Sequence, residues 1–64
     1  MSPQSFNYIV AVRSKQRAPQ LEKTDLIAVV RTAHWRAKKF AYLADRWRRI
    51  ETCALRDLQA SAEG

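Results

Sequence analysis

Apolar positions recur in two rhythms along this chain. Between Phe6 and Arg13 the residues Phe6, Tyr8, Val10 and Val12 occupy every second position, among aromatic and β-branched neighbours. That alternation predicts a short strand or extended arm over about 6–13. From Thr24 onward the spacing changes to threes and fours. Leu26, Val30, Ala33, Ala37, Phe40, Ala44, Trp47, Ala54 and Leu58 fall on one helical face, widened by Val29, Leu43, Ile50 and Leu55. No glycine or proline interrupts this stretch, which predicts one long amphipathic helix over about 24–60. The fold class expected is therefore mainly α, in a single small domain covering 1–64.

Between the two rhythms lies a polar linker, 14–23, containing Pro19, which disfavours helix at Ala18. Thr24 is the expected N-cap, with Asp25 as the alternative. Residues 1–5 and the small polar tail 61–64 are expected to fray. Ala44-Asp45-Arg46 is the one candidate break in the long helix, since Asp45 can cap a second helix. A break there would give a strand–helix–helix order that resembles ribbon-helix-helix repressors in outline. The chain departs from that family by the ten residues between arm and helix and by its lack of a turn signal, and it is not assigned to it.

A chain of 64 residues is marginal unless something staples it. One cysteine excludes an internal disulfide, and His34 and Cys53 are too far apart in sequence to begin a metal cluster. A lone helix of this length, about 52 Å at 1.5 Å per residue, cannot cover its own apolar stripe. A homodimer is expected, sealed by Leu26, Val30, Ala33, Ala37, Phe40, Ala44, Trp47 and Leu58. The arm would pair with its copy or add to the edge of a partner's sheet. Glu51 interrupts the stripe. It is either wet, with the stripe ending near Ile50, or held in an ion pair that fixes register or partner.

Charge changes the picture on the other face. The net charge is +6 and the isoelectric point about 10.3. Arg31, Trp35, Lys38, Tyr42, Arg46, Arg49 and Arg56 align opposite the apolar stripe, with Lys39 beside them. From Arg31 to Arg49 there are seven Lys or Arg and one acid, Asp45. Like charges at helical spacing repel by a few tenths of a kcal/mol each. An anionic partner would remove that cost: nucleic acid, an acidic protein or an anionic membrane surface.

No catalytic pattern is visible: no Gly-rich phosphate loop, HExxH or CxxC. His34 lacks a nearby nucleophile and orienting group, and Cys53 reads as an inert reduced thiol beside Arg49 and Arg56. The chain is expected to be non-enzymatic, without cofactor, metal or small-molecule substrate. A secretory leader is not expected, because the N-terminus lacks a basic region and the apolar run Tyr8–Val12 is short. The unpaired cysteine suits a reducing, cytoplasmic compartment.

Two functional readings follow. In the first, the Arg/Lys face binds nucleic acid as a regulator or architectural factor. Arg31, Lys38, Lys39, Arg46 and Arg49 would neutralise phosphates, supplemented by Lys15 and Arg17. Specificity should be weak, because the helix holds no Asn and its one Gln, Gln59, lies near its end. In the second, the same face docks on an acidic host protein as an inhibitor, adaptor or anti-activator, a build common among small proteins of phages and other mobile elements. Trp35 and Tyr42 among arginines suit such contacts. Membrane binding is the weakest reading, because the stripe is alanine-rich and Trp35 and Tyr42 lie on the charged side.

Overall fold

Ser2 and Pro3 set the first element. In the computed structural model, which describes residues 2–63, helix α1 spans Pro3–Arg13, with Ser2 as N-cap and Pro3 in its first turn. The Ser5 amide donates to Ser2 Oγ at 3.2 Å. Proline at this position loses no hydrogen bond, because the first N–H groups of a helix have no internal acceptor.

The arm expected as a strand over 6–13 is therefore helical, and the residues expected to fray begin it. Met1 and Gly64 lie outside the described residues. Two periodicities coexist in this segment, and burial chooses the helical one. Ser5, Tyr8 and Ile9, with Val12 one turn on, form the inner face, while Phe6 and Val10 of the alternating set stay exposed. A helix satisfies its own backbone, whereas a lone strand would have needed a second chain.

The end of α1 is a Schellman turn. The Lys15 amide donates to Val12 O at 3.2 Å and the Gln16 amide to Ala11 O at 2.8 Å. Lys15 carries the left-handed φ of 57° that this turn requires. The following stretch drops Leu21 into the core and leads to α2, Lys23–Lys39. Glu22 stands at the N-cap without a side-chain cap, one helical turn from Leu26, whose amide donates to Glu22 O at 2.9 Å. The cap thus falls two residues before the expected Thr24. Asp25 lies in the first turn, where its charge suits the helix dipole.

The long helix expected over 24–60 is broken. α2 ends at Lys39, a single 3-10 turn covers Ala41–Leu43, and α3 runs Ala44–Glu63. The break falls just before Ala44-Asp45-Arg46, and Asp45 occupies the first turn of α3. The tail expected from 61 continues this helix to Glu63. The corner sits at Phe40, with φ −111° and ψ 78°. Its amide closes α2 on Arg36 O at 2.8 Å, and its carbonyl accepts the Leu43 amide at 2.9 Å. Neither torsion demands glycine, so the sequence carries no turn residue here.

Folding back puts α2 against α3 as an antiparallel pair, with α1 laid against both. Tyr8, Ile9, Leu21, Leu26, Val29, Ala33, Ile50 and Ala54 form the core, bordered by Val12, Ala18, Val30, Trp47 and Leu58. Ala33 and Ala54 are fully buried. Small residues there let the two backbones approach, while Leu26, Val29 and Ile50 each contribute roughly 1.5–3 kcal/mol by burial. The stripe expected to seal a homodimer is largely consumed within one chain: Leu26 and Ala33 are core, Val30, Trp47 and Leu58 pack on it, and Ala37, Phe40 and Ala44 are half-buried near the corner. With the helix folded back on itself, this stripe is largely covered within the chain. Glu51 is neither fully wet nor fully buried. Its Oε2 lies 3.0 Å from His34 Nδ1, joining α3 to α2. Among the described residues no helix is long and apolar enough to cross a membrane.

Candidate nucleic-acid interface

The corner redistributes the basic residues. On a straight helix Arg31, Trp35, Lys38, Lys39, Tyr42, Arg46, Arg49 and Arg56 would share one line. Here the first four lie on α2, Tyr42 on the turn, and the last three on α3. Lys38 lines a hollow that Arg46, Arg49 and Arg56 do not share.

Arg46 and Arg49 are brought together with Arg13, from the last turn of α1, around a cavity of about 310 Å³ that also takes in Val12 and Ile50. Arg13 complements the negative end of the α1 dipole. A second hollow of about 280 Å³ lies alongside, bordered by Arg49, Arg56 and Lys15, with Cys53, Tyr8 and Asp57. The side where α1 meets α3 thus collects Arg13, Lys15, Arg46, Arg49 and Arg56. Its one carboxylate, Asp57, accepts the Tyr8 phenol proton at 2.5 Å. That phenol is pushed well above its ordinary value of 10.0, first by burial, then by the hydrogen bond to Asp57 and by the charges of Asp57 and Cys53. It stays a donor at neutral pH and holds Asp57 towards itself and away from the arginines.

Lys38 belongs elsewhere. It lines a groove of about 770 Å³ between α2 and α3, on the side that α1 leaves open, with His34, Asp45, Arg48 and Glu51. Both charge signs are mixed there. Lys39 Nζ sits 4.6 Å from the Trp35 ring and 5.8 Å from the Phe40 ring, and Phe40 meets Tyr42 edge-on at 6.3 Å. Tyr42 and Trp35 are 83% and 56% exposed. Arg31 is exposed on α2 and lines none of these hollows.

The sequence pattern missed Arg13 and Arg36. Arg36 lies over Trp47, with Cζ 5.1 Å from the ring centroid. Arg13 was hidden because it was assigned to a strand. Read as the last turn of a helix begun by Ser2-Pro3, it is a cation at a helix C-terminus; its place beside α3 needed the fold.

Among the described residues no lysine or arginine lies within 4.0 Å of a carboxylate, and the short contact of this kind is the His34 Nδ1 to Glu51 Oε2 hydrogen bond. Nor do three His, Cys, Asp or Glu side chains gather in a metal-binding group among them. The arrangement offers cations without internal partners, arranged beside helix α1. The chain matches no family model, no curated protein and no solved structure.

Proposed function

We propose that this protein binds nucleic acid through the α1–α3 side, with Arg13, Arg46 and Arg49 at its centre and Lys15 and Arg56 at its edge. The observation that carries the reading is the convergence of these five cations from two helices and the turn after α1. Among the described residues none of them lies within 4.0 Å of a carboxylate, and Asp57 is the one acid that shares their hollows. Arginine and lysine in such a cluster replace the counterions of a phosphate backbone. Gln16 is the amide that lines this side, so adenine readout has little to work with, while the arginines can serve phosphates or guanine edges; the expected role is architectural or weakly sequence-selective regulation. A half-buried unpaired thiol at Cys53 fits a reducing, cytoplasmic compartment.

The test is fluorescence anisotropy of a labelled random duplex across a salt series. A steep log–log slope, with binding that persists at physiological salt, supports the reading. Loss of all binding at physiological salt overturns it.

A second reading rests on a separate observation. Trp35 and Tyr42 are exposed near Lys38 and Lys39 at the corner, a combination that suits docking on an acidic protein by a small inhibitor or adaptor. Trp35→Ala with Tyr42→Ala separates the two: it leaves duplex binding nearly unchanged and abolishes protein docking at that end.

A further inference from the structure

Helix α1 is apolar on two sides. Of its residues only Arg13 is charged. Tyr8, Ile9 and Ala11 are buried, yet Phe6 and Val10, one turn apart on another face, are 61% and 41% exposed. Large apolar side chains left exposed together on one face mark a contact surface. Beside Phe6 and Val10 lies a cleft of about 380 Å³, with Ile9 and the half-buried Trp47 in its wall and Arg13 and Arg36 lining it. No acidic residue lines it. Arg36 rests on the Trp47 ring, which keeps a cation beside an apolar surface without a counterion.

We infer that this cleft is the docking site for an acidic amphipathic segment of another protein. One large apolar side chain of that segment seats against Phe6, Val10 and Trp47. Carboxylates roughly one turn to either side meet Arg13 and Arg36. The charge of the rim selects the partner's sign, and the apolar wall selects a protein over a phosphate chain, which gains nothing from Phe6 or Val10. The inference does not rest on the nucleic-acid reading, although Arg13 borders both surfaces.

The test is an NMR titration of the full ¹⁵N-labelled chain with a synthetic helical peptide carrying leucines at helical spacing flanked by glutamates. A control peptide has glutamine for every glutamate. Expected are saturable shifts centred on the Phe6 and Val10 amides and the Trp47 indole, with binding at least about tenfold weaker for the control, a change of one decade in Kd. Phe6→Ser with Val10→Ser should abolish the response while circular dichroism and duplex binding stay unchanged. Arg36→Gln should weaken the glutamate peptide and leave the control alone. Shifts spread over Arg46, Arg49 and Lys38 without saturation at Phe6 and Val10 would overturn the proposal. So would a dimer in sedimentation that the Phe6→Ser, Val10→Ser variant dissociates, which would make a second copy the occupant.

Discussion

The Tyr8 hydroxyl donates to Asp57 Oδ2 at 2.5 Å, joining α1 to α3 across 49 positions of sequence. It ties the first helix to α3, as the weaker Ser2 Oγ to Asp25 Oδ1 contact at 3.4 Å ties its N-cap to α2, and Tyr8 itself is 1% exposed. Tyr8→Phe removes the donor and leaves the carboxylate without it, which should destabilise the fold by about 1–3 kcal/mol. Urea unfolding at neutral pH measures this directly.

The same contact predicts an alkaline limit. The folded Tyr8 phenol is held above its ordinary value of 10.0. Its neutral form is therefore favoured by folding. The stabilisation is complete below that value and is lost as pH rises above it, because the unfolded phenol ionises while the folded one keeps its proton. In a Tyr42→Phe background Tyr8 is the sole tyrosine. The stability difference between that chain and the further Tyr8→Phe variant should be constant up to about pH 9 and shrink above pH 10. A difference that stays flat to the alkaline end of the range would contradict this account.

Lys15 holds a left-handed backbone conformation with a side chain that disfavours it. Lys15→Gly should raise stability by about 0.5–1 kcal/mol, the relief of that strain less the extra freedom glycine gains when unfolded. It also deletes a cation beside Arg49 and Arg56. Duplex affinity should fall as stability rises, a pairing that thermal melts and anisotropy on one sample can read together.

Arg46→Ala with Arg49→Ala should make the log–log salt slope for duplex binding shallower by about 1.8, about 0.9 for each phosphate no longer neutralised. Lys38→Ala, on the mixed-charge side, should change that slope little. Equal effects from both sets would mean that binding ignores the division made by the hairpin.

Ala33 and Ala54 are both fully buried, on α2 and α3. Ala54→Leu should cost about 1–3 kcal/mol by forcing the helices apart. The exposed Ala60→Leu should be close to neutral. Chemical denaturation of the pair tests the close approach of the two backbones.

Which face of the second half is apolar was legible from spacing alone. Leu26, Val29, Val30, Ala33, Trp47, Ile50, Ala54 and Leu58 were all placed on the stripe, and all lie in or against the core. What covers that stripe was not legible, because the corner at Phe40 uses torsions open to any residue and announces itself with neither Gly nor Pro. The basic line shared the same fate: its members are exposed, but the turn puts Lys38 and the arginines of α3 around different hollows. The first helix was legible and misread. Ser2-Pro3 is a helix start, and Ser5, Tyr8, Ile9 and Val12 keep helical spacing, yet the alternation of Phe6, Tyr8, Val10 and Val12 is just as regular. His34 with Glu51 needed the fold, since only the reversal brings two residues 17 apart to 3.0 Å.

The uneven distribution of charge around the hairpin has a consequence for how the molecule meets anything at all. The body is a short rod, 35 × 19 × 19 Å, with five cations gathered on the flank under α1 and a near-balanced flank where α1 is absent. In the field of a polyanion such a rod feels a torque before it feels a contact. Spinning about its long axis is its fastest rotation, so the cationic flank can turn to face the approaching charge within the encounter itself. Added salt shortens the reach of that torque to about 8 Å at physiological strength. Association rate, and not only affinity, should then carry the imprint of which side α1 chose to cover.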